Sequence, residues 1–193
     1  VGERELSERG AETRTLILDT ALAAFAESGF RGTSVRDIAT RCGLTHPALI
    51  YHFPTKADLL MAVLTRRDDS EGTAAGYDEL RGRALLDHLV ETARRNAARR
   101  GVVELYATLS GEATATDHPA HAYFVRRYAS LRRDVTRAYR EAAEAGELDP
   151  RIVPSLAAAQ LVALMDGLQV QWLLDPSVDM AETLEAHLAA QFA

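Results

Sequence analysis

The chain is predicted to be all-α, with a small N-terminal three-helix head and a larger helical body. Three observations carry this expectation. Apolar residues recur at helical spacing, as in Ile17, Leu18, Ala21, Ala24 and Phe25. Glycine, proline and small capping residues stand at the breaks between such runs. No alternating apolar–polar run of useful length reads as a strand.

Taken in order, the first helix carries that stripe and stops at Gly29. Thr33 and Ser34 offer cap oxygens to a short helix holding Val35, Ile38 and Ala39, which Gly43 closes. Thr45 can cap a second short helix. Pro47 is harmless in its first turn, where an N–H would lack a partner anyway. Phe53-Pro54 ends this helix because a residue before proline avoids the α region. Thr55 then starts a longer helix, with Asp58 three positions on in a capping-box arrangement.

Long amphipathic helices follow. Leu85, Leu86, Leu89, Ala93 and Ala97 form one stripe, and Val102, Leu105, Tyr106 and Leu109 another. Asp117 is placed to cap a helix with His121, Phe124, Val125, Tyr128, Leu131, Val135 and Ala138 on one face. A loop around Gly146 and Pro150 precedes two helices, near 152–174 and 179–192, separated by Asp175-Pro176. The functional division expected is residues 1–56 as head and 57–193 as body.

Composition narrows the function classes. The 193 residues have the apolar and charged fractions of an ordinary globular protein. The N-terminus lacks the apolar stretch of a secretory signal. The most apolar segment is interrupted by Gln160, Asp166, Gln169 and Gln171, so no membrane span is expected. The lone Cys42 cannot form an intramolecular disulfide and suits the reducing cytoplasm as an inert thiol. Residues 1–56 hold seven Lys/Arg against seven Asp/Glu, whereas the rest hold fifteen against twenty-one. The net charge of −6 therefore resides in the body, which argues against non-specific nucleic-acid binding by the whole chain. No nucleophile–base–orienter set, glycine-rich phosphate loop or metal-ligand cluster can be assembled, so no catalytic residue, cofactor or metal is expected. His46 and His52, six residues apart on a short helix, face away from each other and make a poor metal pair.

Two short helices joined by a glycine-containing turn have the geometry of a DNA-reading helix-turn-helix. The run from Arg14 to Leu60 resembles the N-terminal domain of TetR-family (tetracycline-repressor-like) transcription regulators. Arg14, Ile17-Leu18, Ala21, Phe25, Gly29-Phe30, Thr33-Ser34-Val35, Ile38-Ala39, Gly43-Leu44-Thr45, Leu49, His52-Phe53 and Lys56-x-x-Leu59 carry the resemblance. Two departures stand out: Cys42 replaces a frequent alanine, and Ile50 replaces a frequent phosphate-reaching tyrosine, with Tyr51 beside it. Beyond residue 60 the similarity is one of pattern. It implies an effector-binding and dimerisation body, and "LMDGLQVQWLLDP" resembles the penultimate helix of several members.

In this reading Thr45, His46, Pro47 and Ala48 bring the second short helix to base edges in the major groove. Arg36 is the long fork-shaped donor for guanine. Thr33 and Ser34 offer hydroxyls to phosphate, joined by Tyr51, His52 and Lys56. Lys56 is the only lysine; in the first turn of a helix it opposes the macrodipole unless an anion faces it. His52 is also read as a packing or backbone-contacting residue of the head.

In the body, Tyr106, Leu109, His121, Phe124, Tyr128, Met165 and Trp172 are candidates for an apolar effector pocket, with plain core as the alternative. The helix near 152–174 is apolar almost all round, which requires two packing partners. Leu156, Ala159, Ala163, Leu164 and Gly167 are the candidates for contact with a second copy. The expectation is a cytoplasmic homodimeric regulator that binds pseudo-palindromic double-stranded DNA and is released by a small molecule. The alternative is a helical carrier or enzyme whose N-terminal helices only pack.

Overall fold

The computed structural model describes the backbone of residues 2–75 and 79–192, and side chains over 9–68 and 79–192. Among the described residues nine helices occur: α1 (Gly2–Gly32), α2 (Val35–Arg41), α3 (His46–His52), α4 (Lys56–Ala75), α5 (Gly82–Asn96), α6 (Arg100–Glu112), α7 (His121–Glu144), α8 (Pro154–Leu174) and α9 (Met180–Ala189). Extended pairing among them is limited to one antiparallel bridge between Leu148 and Phe192.

The breaks lie where local chemistry put them. Gly29 has φ 67° and ψ −179°, a region essentially reserved for glycine, and interrupts α1. Ser34 caps α2 by accepting the Arg36 N–H at 3.2 Å. Gly43, at φ 67°, turns the chain toward Thr45, whose hydroxyl caps α3 by accepting from Ala48 N–H at 3.3 Å. At the start of α4 the capping box is complete. Asp58 N–H donates to Thr55 Oγ1 at 3.0 Å, and the Asp58 carboxylate accepts the Thr55 N–H at 3.1 Å. Asp117 departs from expectation. It does not cap α7, which starts at His121, and its exposed carboxylate lies 3.5 Å from Arg31.

The chain divides into two compact units: residues 1–71 with 104–121, and residues 72–103 with 122–193. In the first, Ile17, Ala21, Phe25, Ile38, Leu49, Phe53, Leu59 and Leu64 are buried. Apolar faces of α1 through α4 thus lose their water, the main favourable term for short helices that are marginal alone. In the second, Leu85, Leu86 and Leu89 of α5 pack in one core with Val135 and Tyr139 of α7, Leu161 and Trp172 of α8 and Leu184 of α9. Ala97 falls outside α5 and is exposed, and Val125 points outward from α7, so those two stripe positions are not core.

The Tyr139 hydroxyl, in that core, donates to Gln191 Oε1 at 2.6 Å, and both residues are buried. Tyr139→Phe leaves that amide oxygen unpaired. It is expected to destabilise the fold by about 1–3 kcal/mol in a denaturant titration.

Candidate nucleic-acid interface

The exposed surface of α2 and α3 follows from which residues their cores claim. In α3, Leu49 is fully buried, so the helical period turns Pro47 and Tyr51 to the opposite side. Tyr51 is 86% exposed, its ring edge-on to His52 with 5.4 Å between centroids. Thr45, His46 and Pro47 are exposed at the capped start of α3, and Ala48 is half-buried beside them. In α2, Ile38 and Ala39 face inward and Arg36 outward. The Arg36 guanidinium has no ion-pair or hydrogen-bond partner among the described residues. Arg41, in contrast, is held by Glu27 at 2.8 Å and Asp37 at 3.0 Å. An outward guanidinium beside a short reading helix leaves its fork available to a base edge.

The C-terminal end of α3 is held by Arg14, a residue the DNA-contact candidates did not include. Its guanidinium lies 4.3 Å from the centre of the Phe53 ring and donates to the His52 carbonyl at 3.3 Å. His52 is half-buried, and that carbonyl makes it a backbone-contacting member of the head as well as a surface candidate.

Two candidate contacts face inward. Thr33 is only 5% exposed, and its hydroxyl lies 2.7 Å from the Gly29 carbonyl and 3.0 Å from that of Ala24. The expected Thr33 side-chain contact with phosphate is therefore corrected: the hydroxyl secures the turn, and exposed Ser34 carries the cap. Lys56 Nζ donates to the carbonyls of Phe30 at 2.7 Å and Thr33 at 2.8 Å, and sits 4.3 Å from the Phe30 ring centre. Two of its three protons are thus occupied. Burial lowers the Lys56 pKa, and the charge of Glu112 works against that lowering.

Glu112 itself was not legible in the sequence. Its Oε2 accepts the Phe30 N–H at 2.7 Å, across 82 residues of chain. Buried His118 stands 3.6 Å from the same oxygen through Nε2, and its Nδ1 accepts the Ala120 N–H at 3.2 Å. The ring also meets Phe30 edge-on at 5.1 Å. Burial depresses the His118 pKa; Glu112 and Asp117 oppose this, whereas Arg31 adds to it.

The candidates in the rest of the chain fall in both units. In the first unit the Tyr106 hydroxyl donates to Asp68 at 3.0 Å, Leu109 is fully buried, and His121 Nδ1 lies 2.8 Å from the Ala113 carbonyl. In the second unit Phe124 and Trp172 are buried, Met165 packs against the core, and Tyr128 hydrogen-bonds Asp166. On α8, Leu156, Ala159 and Ala163 are exposed and Leu164 and Gly167 half-buried. Val170 and Leu174, not among the candidates, extend that exposed row.

Comparison with known proteins decides the family. Residues 17–63 match the family model described as "Bacterial regulatory proteins, tetR family", and residues 81–193 match "BetI-type transcriptional repressor, C-terminal". The chain belongs to the TetR family. It is similar to the HTH-type transcriptional regulator TtgR of Pseudomonas putida, 30% identical over 193 residues that cover 94% of this chain and 90% of that protein. Among solved structures, NalD, the secondary repressor of the MexAB-OprM multidrug efflux pump in Pseudomonas aeruginosa, is 25% identical. Its TM-score is 0.74, with 95% of this chain and 97% of that one covered. A SmeT–triclosan complex has the same fold at TM-score 0.75 and 22% identity, covering 94% and 92%. The protein is thus a TetR-family transcriptional regulator, and α2 and α3 are its helix-turn-helix.

The depressed His118 pKa gives a pH prediction. A folded-state pKa below the unfolded value near 6.5 means the unfolded chain binds the proton more readily. This contribution is fully present above about pH 6.5 and is lost as pH falls toward the folded-state value. His118→Asn, which keeps an acceptor for Ala120 but does not titrate, is expected to lose less stability than wild type between pH 7.5 and 5.5 in paired denaturant titrations.

Proposed function

We propose that this regulator is a cytoplasmic repressor that binds a pseudo-palindromic operator as a homodimer and is released by a small molecule. Residues 1–56 serve as the DNA-binding part and residues 57–193 as the effector-binding and dimerisation part. The observation that carries the DNA reading is the outward-facing Arg36, without a partner among the described residues, beside the capped and exposed start of α3. Thr45, His46, Pro47 and Ala48 enter the major groove, and Arg36 reads a guanine. Ser34, Tyr51 and His52, with the remaining proton of Lys56, contact phosphates.

The dimer reading is supported by α8. One side of this helix is core, through Leu161, Leu168 and Trp172, while Leu156, Val170 and Leu174 on the other are at least half exposed. A row of that kind suits the same row of a second copy around a twofold axis. Effector release is supported by family membership and by the triclosan held in the SmeT structure. An effector acts only if it binds the DNA-competent and released states unequally.

A mobility-shift series over DNA upstream of the regulator's own gene tests the function; absence of any duplex bound above the non-specific level at low salt would falsify it. On the duplex it selects, Arg36→Ala is expected to remove roughly 1–3 kcal/mol of discrimination at one base pair per half-site and to leave the others unchanged. Light scattering at micromolar concentration is expected to give twice the chain mass for wild type, and the single-chain mass after Leu156→Glu with Leu174→Glu. A wild-type monomer would remove the operator-symmetry argument.

A further inference from the structure

The turn from Gly29 to Thr33 joins α1 to α2 and so aims the whole helix-turn-helix. Gly29 breaks the helical path, and within the turn the Thr33 N–H donates to the Phe30 carbonyl at 3.4 Å. Side chains supply further partners. Thr33 Oγ1 reaches the Gly29 carbonyl, and Lys56 Nζ reaches the carbonyls of Phe30 and Thr33. Glu112, at the last residue of α6, takes the Phe30 N–H at 2.7 Å. The two polar backbone groups of Phe30 are therefore held by opposite charges from two different helices.

The approach of Glu112 depends on the absence of a side chain at residue 29. A methyl group built on Gly29 would lie 2.3 Å from Oε1 and 2.8 Å from Cδ of Glu112, far inside contact distance. Behind the carboxylate, His118 is 4% exposed and its Nε2 makes no hydrogen bond among the described residues. With Nδ1 accepting from Ala120, the ring is neutral and its Nε2–H faces Glu112 Oε2. The carboxylate is thus backed, at 3.6 Å, by a buried ring that is itself packed on Phe30.

We infer that Glu112 is a positioning residue for DNA recognition: its hydrogen bond to the Phe30 N–H sets the direction in which the α1–α2 turn presents α2 and α3. It touches no DNA in this scheme. Its loss leaves Arg36 and the α3 residues in place on their helices but frees the turn that orients them. Operator binding then falls, whereas sequence-independent binding, which needs only charge near phosphates, changes little. The role rests on the proposed operator binding, and the reach of the side chain rather than its charge is the element that matters.

Two substitutions separate reach from charge. Glu112→Gln keeps the length and an oxygen for the Phe30 N–H but is neutral; Glu112→Asp keeps the charge but is one methylene short. Fluorescence anisotropy would measure the affinity ratio between the selected upstream duplex and an unrelated duplex of equal length. E112D is expected to lower that ratio about tenfold or more, and E112Q to stay within about threefold of wild type. Hydrogen exchange without DNA should show the Phe30 amide exchanging about tenfold faster in E112D and near the wild-type rate in E112Q. An unchanged ratio or an unchanged Phe30 amide in E112D overturns the inference, as does an E112Q that falls as far as E112D. A wild-type protein that does not distinguish the two duplexes removes the regulator reading itself, which separates that failure from this one.

Discussion

The break at Gly29 is the constraint on which the helix-turn-helix depends. A helix that stops inside a folded unit leaves amide and carbonyl groups without helical partners, and each must find another. Here the partners are Thr33 from the turn, Lys56 from α4 and Glu112 from α6. The Phe30 ring fills the centre of the same site, with Lys56 over its face, His118 at its edge and Phe25 6.0 Å away. Apolar burial, cation–π attraction and charge-assisted hydrogen bonds all act on one residue. The direction of α2, and through Gly43 that of α3, follows from how this residue is seated.

The site also explains a lysine that looks misplaced. A cation in the first turn of α4 is opposed by the helix dipole. Two carbonyls accept its protons, and the charge of Glu112 opposes the lowering of its pKa by burial. Lys56 is thus engaged inside the protein by two backbone carbonyls. The phosphate contact proposed for Lys56 would therefore draw on the same ammonium group that holds the turn.

Elsewhere the decisive property is what remains uncovered. Helix α8 is apolar around most of its circumference, so its composition alone does not say which side is core. Packing assigns Leu161, Leu168 and Trp172 to the core and leaves Leu156, Val170 and Leu174 in water. Uncovered apolar area of that kind is what association removes.

The helices, their stops and most caps were legible because each depends on residues within about four positions of one another. Ser34, Thr45, the Thr55–Asp58 box and Phe53-Pro54 all behave as their types demand. Asp117 failed as a cap because the chain between it and α7 makes other turns and leaves its carboxylate near Arg31. Thr33 and Ser34 are adjacent residues of similar chemistry, yet one is buried and one exposed. Only their surroundings distinguish them. By itself the sequence determined the helical elements, which are written in short-range spacing, while the family was legible through the resemblance of residues 14–60 to known regulators. The tertiary structure alone decided which polar side chains turn inward. The partners of Lys56 lie 23 and 26 residues away and that of Glu112 lies 82 away, and no local pattern encodes a bond formed across such distances.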